Sequence, residues 1–244
     1  MINKLYLTDN IYIYNNKFYY IKNNKPSIIK KHNWHTLLNE YGWEKLNKNW
    51  IIKLNKLNYS TIKKRNSLFG SLDCGGNGDC LFNCISYGLS NYFDSYDSNK
   101  LRNNLSLTIK DKQIHNILET YKISKENGDF LDNWDPNTIT IKEFRSLLKK
   151  GGNNYWGDFL ILQLIKEFLN INIIILYNND ISKKYYYYPL LYTYNIDLNT
   201  IILLYENDIH FKIVGHFNNN FMNIFFNKDN IPIEILQLIN YNKI

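Results

Sequence analysis

Apolar positions fall into two regimes along the chain. From residue 80 to about 170 they recur at helical spacing. Phe82, Ile85 and Leu89 mark one face over residues 80–92, and Leu101, Leu105, Ile109, Ile114 and Ile117 mark another over 99–123. Residues 126–135 read as a short helix or loop, with Pro136 behind them. Residues 140–150 are amphipathic and stop at Gly151-Gly152, and 154–170 carry Phe159, Leu162, Leu164, Ile165 and Leu169 on a strong helix. From residue 171 the period changes. Ile171-Asn172-Ile173-Ile174-Ile175-Leu176-Tyr177 has the β-branched, apolar content of a buried strand. Further strands are predicted over 185–191 and 200–205, and a hairpin over 210–216 and 221–226 around Asn218-Asn219-Asn220. Residues 231–239, with Pro232 in the first turn, close the chain as a helix. Helices followed by strands in one continuous core predict an α+β fold with a mixed sheet flanked by helices.

Residues 1–65 form a separate compositional zone, an N-terminal extension ahead of a domain over 66–244. Tyr6, Ile11, Ile13, Phe18, Tyr20 and Ile21 suggest short strands broken by Asn-rich turns, and 35–46 have roughly helical spacing. Trp34, Trp43 and Trp50 are placed to pack this zone onto the rest.

Composition adds one caution. The 244 residues include no alanine and a single valine, Val214, while Asn, Ile, Lys and Tyr are heavily used. AT-rich coding explains this better than function does. The net charge of +7 therefore says little about nucleic acid, because lysine is cheap in such a chain and the positive residues are scattered. The densest basic stretch, from Lys53 to Arg65, reads as a solvated face. Three cysteines, at 74, 80 and 84, do not make a disulfide framework. Their spacing lacks the paired C-x-x-C of a zinc site, and no metal or other cofactor is expected. No run is long enough to span a membrane and no secretory signal precedes the cysteines. A soluble, cytoplasmic monomer is the expectation.

The chemistry concentrates at Cys74-Gly75-Gly76-Asn77-Gly78-Asp79-Cys80-Leu81-Phe82. A glycine-rich turn delivers Cys80 to the first turn of a predicted helix, where free N–H groups and the helix dipole favour thiolate. A thiolate nucleophile needs a base, and His210, in Asp208-Ile209-His210-Phe211, opens a predicted strand. His216, six residues on and on the same side of the strand, is the main competitor among His32, His35, His115 and His216. Cys74 and Cys84 fit the role of small buried hydrophobes.

Three blocks together resemble the OTU (ovarian tumour) cysteine proteases, which are deubiquitinases. Gly76-Asn77-Gly78-Asp79-Cys80-Leu81-Phe82 is similar to the family's nucleophile motif. Tyr155-Trp156-Gly157-Asp158-Phe159 resembles its Trp-Gly helix before the central strand, and His210-Phe211 its His-aromatic pair. The resemblance covers about 66–226 and extends to the OTU proteins of large DNA viruses, where Lys212-Ile213-Val214-Gly215 likewise leads into a hairpin. It implies a papain-like OTU fold, catalysis by Cys80 with His210, and an oxyanion hole from the loop Asn77, Gly78 and Asp79. It also implies ubiquitin, polyubiquitin or a ubiquitin-like modifier as partner, with host cytoplasm as the location of a viral protein.

Two departures stand out. Asn77 replaces the family's Asp three places before the nucleophile, and Lys212 stands where many members carry Asp or Asn two places after the histidine. Lysine cannot accept an imidazole N–H. Asp73 is the first candidate for the acid, because some bacterial OTU enzymes draw theirs from that side, and Asp208 and Asn218 are the alternatives. A ubiquitin tail is extended, ends in Gly-Gly and carries arginines. Glu126, Asp129, Asp132 and Asp135, four carboxylates within ten residues, are expected to border its groove. Trp156 and Gly157 are further candidates to line it, although core packing is the plainer expectation for Trp156. The competing readings are an OTU-fold ubiquitin-binding module that has lost turnover, favoured by Asn77 and Lys212, and a basic nucleic-acid-binding protein.

Overall fold

A computed structural model describes residues 4–57, 67–94, 96–130, 132–189 and 194–240. The chain opens with four short strands, β1 (Leu5–Tyr6), β2 (Ile11–Tyr14), β3 (Lys17–Lys22) and β4 (Lys25–Ile28), paired in order as an antiparallel sheet. There follow α1 (Trp34–Leu37), a 3-10 turn (Leu38–Tyr41), β5 (Trp43–Lys45), α2 (Lys48–Leu57) and β6 (Phe69–Leu72). Helices dominate next: α3 (Cys80–Ser90), α4 (Ser98–Thr108), α5 (Asp111–Glu126), α6 (Ile141–Lys150), a 3-10 turn (Gly152–Asn154) and α7 (Phe159–Leu169). Then come β7 (Asn172–Asn179), β8 (Lys184–Pro189), β9 (Thr200–Glu206), β10 (His210–Asn218), β11 (Phe221–Asn223) and α8 (Ile233–Asn240).

The fold is α+β. Its main sheet runs β5-β6-β10-β9-β7-β8, with β11 beside β10. β7 and β9 are parallel and the other pairs antiparallel, so the sheet is mixed. Both faces are covered, which is why the strands read as continuous apolar runs. Ile173, Ile175, Ile201, Leu203, Phe211 and Ile213 join the core on the side of α3–α7. Their alternate neighbours Ile174, Leu176, Ile202, Leu204 and Val214 pack with Trp50 of α2 and Ile235 and Leu238 of α8. Truncating any of these fully buried side chains to alanine would cost about 2–5 kcal/mol.

Departures from the sequence reading have local causes. The predicted helix over 99–123 is two helices, because Ile109 and Lys110 are extended, with ψ of 130° and 145°. Arg145 fixes the break by donating to Ser106 O and Ile109 O, both at 2.6 Å, and to Asp111 Oδ1 at 2.7 Å. The helix predicted from 154 starts instead at Phe159, because Asp158 caps it by accepting from the N–H groups of Leu160 and Ile161 at 2.9 and 3.1 Å. β6, Phe-Gly-Ser-Leu, has no apolar alternation and is a strand because it is held between β5 and β10.

Trp34 and Trp50 are fully buried and donate to Ser67 O and Tyr177 O, both at 3.2 Å. Trp43 belongs to β5, which is part of the main sheet. The boundary expected at 65/66, most of the basic stretch ending at Arg65 and the end of the strand predicted over 185–191 lie outside the described residues. Among the described residues, no helix is long and apolar enough to cross a membrane.

Candidate active site

Three backbone segments converge at one end of the interior strands β6 and β10. β6 ends at Leu72, paired with Ile213 of β10, so Asp73 leaves the sheet beside the start of β10. His210 is the first residue of β10. α3 lies across β10, and Cys84 Sγ meets Phe211 O at 3.4 Å, which sets the helix against the strand one turn after Cys80. Cys80 is the first residue of α3 and only 7 % exposed.

Asp73 and His210 are brought together. His210 Nε2 lies 3.1 Å from Asp73 Oδ1, with its N–H angled off that oxygen, so that the buried nitrogen has no aligned hydrogen bond. Burial works to raise the Asp73 carboxyl, but the Gly75 N–H at 2.9 Å, His210 and Lys212 outweigh it and hold the group below the usual carboxylate range. The carboxylate is therefore ionised beside the imidazole. Lys212, the residue out of place in the motif, is occupied elsewhere: its Nζ lies 2.8 Å from Glu206 Oε2 on β9.

The alternatives stand apart. Asp208 accepts from Tyr177 Oη at 3.1 Å and Asn179 Nδ2 at 2.8 Å, facing β7. Asn218 is at the other end of β10, eight residues from His210 and roughly 26 Å along the strand. His216 packs on the Phe69 ring at 4.7 Å, and its burial lowers its pKa to about 4.

The thiol differs from the expectation. Burial pushes Cys80 up, with Asp73 adding to the rise, while backbone hydrogen bonds from Phe211, Leu81 and Cys80 itself pull it down without cancelling the effect. The desolvation of a nearly buried sulfur thus exceeds the pull of the helix end. Resting thiolate is disfavoured.

The turn before Cys80 is fixed by a residue that the motif reading passed over. Arg102 of α4 is fully buried. Its Nε donates to Asp79 Oδ1 at 2.7 Å, Nη1 to Leu148 O at 3.2 Å, and Nη2 to Gly78 O at 3.3 Å and Tyr155 O at 3.1 Å. Its guanidinium also lies 3.6 Å from the centroid of Phe82. Asp79 further accepts from the Gly152 N–H at 3.1 Å. Asp79 occupies the N-cap position of α3 yet makes no side-chain bond to that helix, so the N–H groups of the first turn stay uncapped. The Asp79 N–H itself closes a turn onto Gly76 O at 3.3 Å. Asn77 and Gly78 both have positive φ, 59° and 85°, and a Cβ on Gly78 would overlap the Gly152 carbonyl. One signal for Arg102 was present: it is one of three arginines in a lysine-rich chain, where a single charge would have been met by lysine.

On the opposite flank, Gly157 packs against α3 so closely that a Cβ would stand 2.7 Å from Leu81 Cδ2 and 3.0 Å from Phe82 Cε2. This seats Trp156 beside the first turn of α3 and 49 % exposed, where core burial had been the plainer expectation. Asp132 accepts from Trp134 Nε1 at 3.2 Å, and its burial raises its carboxyl despite that bond and one from the Trp156 backbone. Asp129 is exposed, and Asp135 pairs with Lys125 at 2.8 Å. Tyr205 stacks on Phe211 at 4.5 Å, and burial raises its hydroxyl to about 12. Among the described residues, no group of three or more His, Cys, Asp and Glu side chains could hold a metal ion.

No protein-family model matches the sequence, and no curated protein matches it. The solved structures to which the chain is similar are OTU domains. An ovarian tumour domain in complex with ubiquitin shares 18 % identity over 70 % of this chain and 83 % of its own, with a TM-score of 0.40. An OTU deubiquitinase from Wolbachia pipientis wMel shares 14 % over 70 % and 96 %, at 0.40. The viral OTU domain protease from Farallon virus shares 16 % over 61 % and 84 %, at 0.42. At that level of likeness, the roles of individual residues rest on the chain's own geometry.

Proposed function

We propose that the protein is a cysteine-dependent deubiquitinase that cleaves the bond at the C-terminal glycine of ubiquitin or a ubiquitin-like modifier. The observation that carries the reading is the 3.1 Å approach of His210 Nε2 to an ionised Asp73 beside the helix end that bears Cys80. With Nε2 turned to Asp73, Nδ1 is the ring nitrogen left to serve the thiol.

In this reading Nδ1 takes the Cys80 proton as Sγ attacks the glycine carbonyl carbon. The negative charge forming on the carbonyl oxygen is met by the Cys80 N–H and the Asn77–Gly78 backbone, with Asp79 acting through its grip on Arg102. The imidazolium then gives its proton to the departing lysine amine, leaving a thioester. Water, deprotonated at Nδ1, attacks the thioester, releases the glycine carboxylate and restores the thiol. Asp73 stabilises the imidazolium throughout. A base that acts during attack also suits a thiol whose resting pKa is raised by burial.

The exposed Trp156 beside Gly157 offers an apolar wall for an extended tail, and the exposed Asp129 a carboxylate for its arginines. Release of coumarin from a ubiquitin–aminomethylcoumarin conjugate tests the function. The wild-type chain should turn it over, Cys80→Ala should not, and Asp73→Asn should lose roughly two orders of magnitude in kcat. An Asp73→Asn variant with near-normal turnover would remove Asp73 from the triad.

A further inference from the structure

A cavity of about 450 Å³ opens beside the triad, and its lining includes Asp73, Asn83, Tyr87, Tyr96 and Asp97. Asn83 and Tyr87 stand three and seven residues after Cys80 on α3, so they continue the helix stripe that Cys80 begins. The cavity therefore runs along α3 from the nucleophile, away from the Leu81–Phe82 face on which Gly157 packs. Among the described residues it is lined by two carboxylates, Asp73 and Asp97, and by the tyrosine rings of Tyr41, Tyr87 and Tyr96, with no lysine or arginine. Lys100 Nζ stands 5.1 Å from the centroid of Tyr96, outside that lining. Ser86, 3 % exposed, also lines the cavity, and its buried Oγ has no hydrogen-bond partner among the described residues. A buried hydroxyl left unsatisfied beside open space points to a donor that arrives with a ligand.

We propose that this cavity receives a cationic side chain, a guanidinium or ammonium, from the polypeptide on the leaving-group side of the scissile bond. Two carboxylates set among aromatic rings suit an organic cation. Among the described residues, no group of three or more His, Cys, Asp and Glu side chains gathers there to hold a metal ion. The inference rests on the proposed hydrolysis. If the modifier's tail reaches Cys80 along the Trp156–Gly157 flank, the departing chain leaves across Asp73. The substrates favoured are then conjugates in which the modified lysine has basic neighbours.

The test uses the full chain and ubiquitin joined by an isopeptide bond to short peptides whose lysine is flanked by either arginines or glutamates. The arginine conjugate should be cleaved with about tenfold higher kcat/KM. Asp97→Asn should cut that preference to about threefold or less, while leaving turnover of ubiquitin–aminomethylcoumarin unchanged. Asp97 caps α4 by accepting from the Lys100 N–H at 2.6 Å, and asparagine caps as well, so the helix is kept. If that variant does not fold, Asp97→Ser, also a cap, carries the same comparison. Equal cleavage of the two conjugates by the wild type, or a preference untouched by loss of Asp97, overturns the inference. A fall on the coumarin substrate also overturns it, because the cation would then belong to the tail. Absence of any coumarin release would instead sink the hydrolase reading itself, and this inference with it.

Discussion

Replacing Arg102 should separate the role of the turn before Cys80 from that of the Asp73–His210 pair. Arg102→Met keeps an unbranched apolar stem but removes the guanidinium that lies on the Phe82 ring, and it strands the Asp79 carboxylate and three carbonyls, those of Gly78, Leu148 and Tyr155. Removing one partner of a buried ion pair costs about 3–5 kcal/mol, and each stranded carbonyl costs about 1–3 kcal/mol if water cannot reach it. These terms are not additive, and the Asp79 side chain is 27 % exposed, so water recovers part of the loss. We expect about 3–4 kcal/mol in all, a large share of a typical domain's stability. Arg102→Lys supplies the charge without the planar fork and should lose about half as much. Urea unfolding at constant m reads both values. Below the unfolding transition, the turn should be loose and the rate of Cys80 alkylation altered, while the Asp73–His210 pair, held by β6 and β10, stays in place. A loss under about 1 kcal/mol for Arg102→Met would refute the view that this side chain organises the loop.

Other outcomes follow from the same geometry. Gly78→Ala places a methyl on the Gly152 carbonyl at a residue with φ of 85°, so it should lower kcat at least tenfold by displacing the turn, read on the coumarin conjugate. Trp156→Ala should raise KM several-fold with kcat little changed, because the ring is exposed and outside the triad. Charge reversal at Asp129 should also raise KM, whereas at Asp132 the half-buried, Trp134-bonded carboxyl makes misfolding the larger effect, visible in the melting temperature. His216 is held neutral, its pKa falling from 6.5 to about 4. Its contribution to stability is complete above pH 6.5 and is lost as pH falls toward 4, by about 3 kcal/mol in total. His216→Phe should flatten that part of the pH–stability curve.

Long periodic segments were legible in the sequence, and isolated features were not. The buried strand at 172–179 and the helix at 80–90 announce themselves because one kind of environment dictates many consecutive residues. β6 has only four residues, two of them Gly and Ser, and exists through its neighbours. The helix break at 109–110 depends on Arg145, 35 residues away, which no local pattern contains. At the site, Asp73 could be nominated only through the resemblance, because some bacterial OTU enzymes draw their acid from that side of the cysteine. Arg102 showed only as a rare arginine, and its role was hidden because its partners come from the turn before Cys80, α6 and the segment before α7. The exposure of Trp156 was missed for a related reason: large aromatics are buried on average, and only the tight seat of Gly157 on Leu81 turns this one outward. The raised thiol was missed because a motif displays a helix end but not the burial that opposes it.

Whether Cys80 is an activated thiol is read by reaction with ubiquitin carrying a C-terminal propargyl amide, which attaches only to a thiol activated within a ubiquitin-binding site. A single adduct should form and map to Cys80 by mass spectrometry, absent in Cys80→Ala and slowed strongly in His210→Ala. A folded wild-type chain that forms no adduct, or forms one at Cys74, would contradict it.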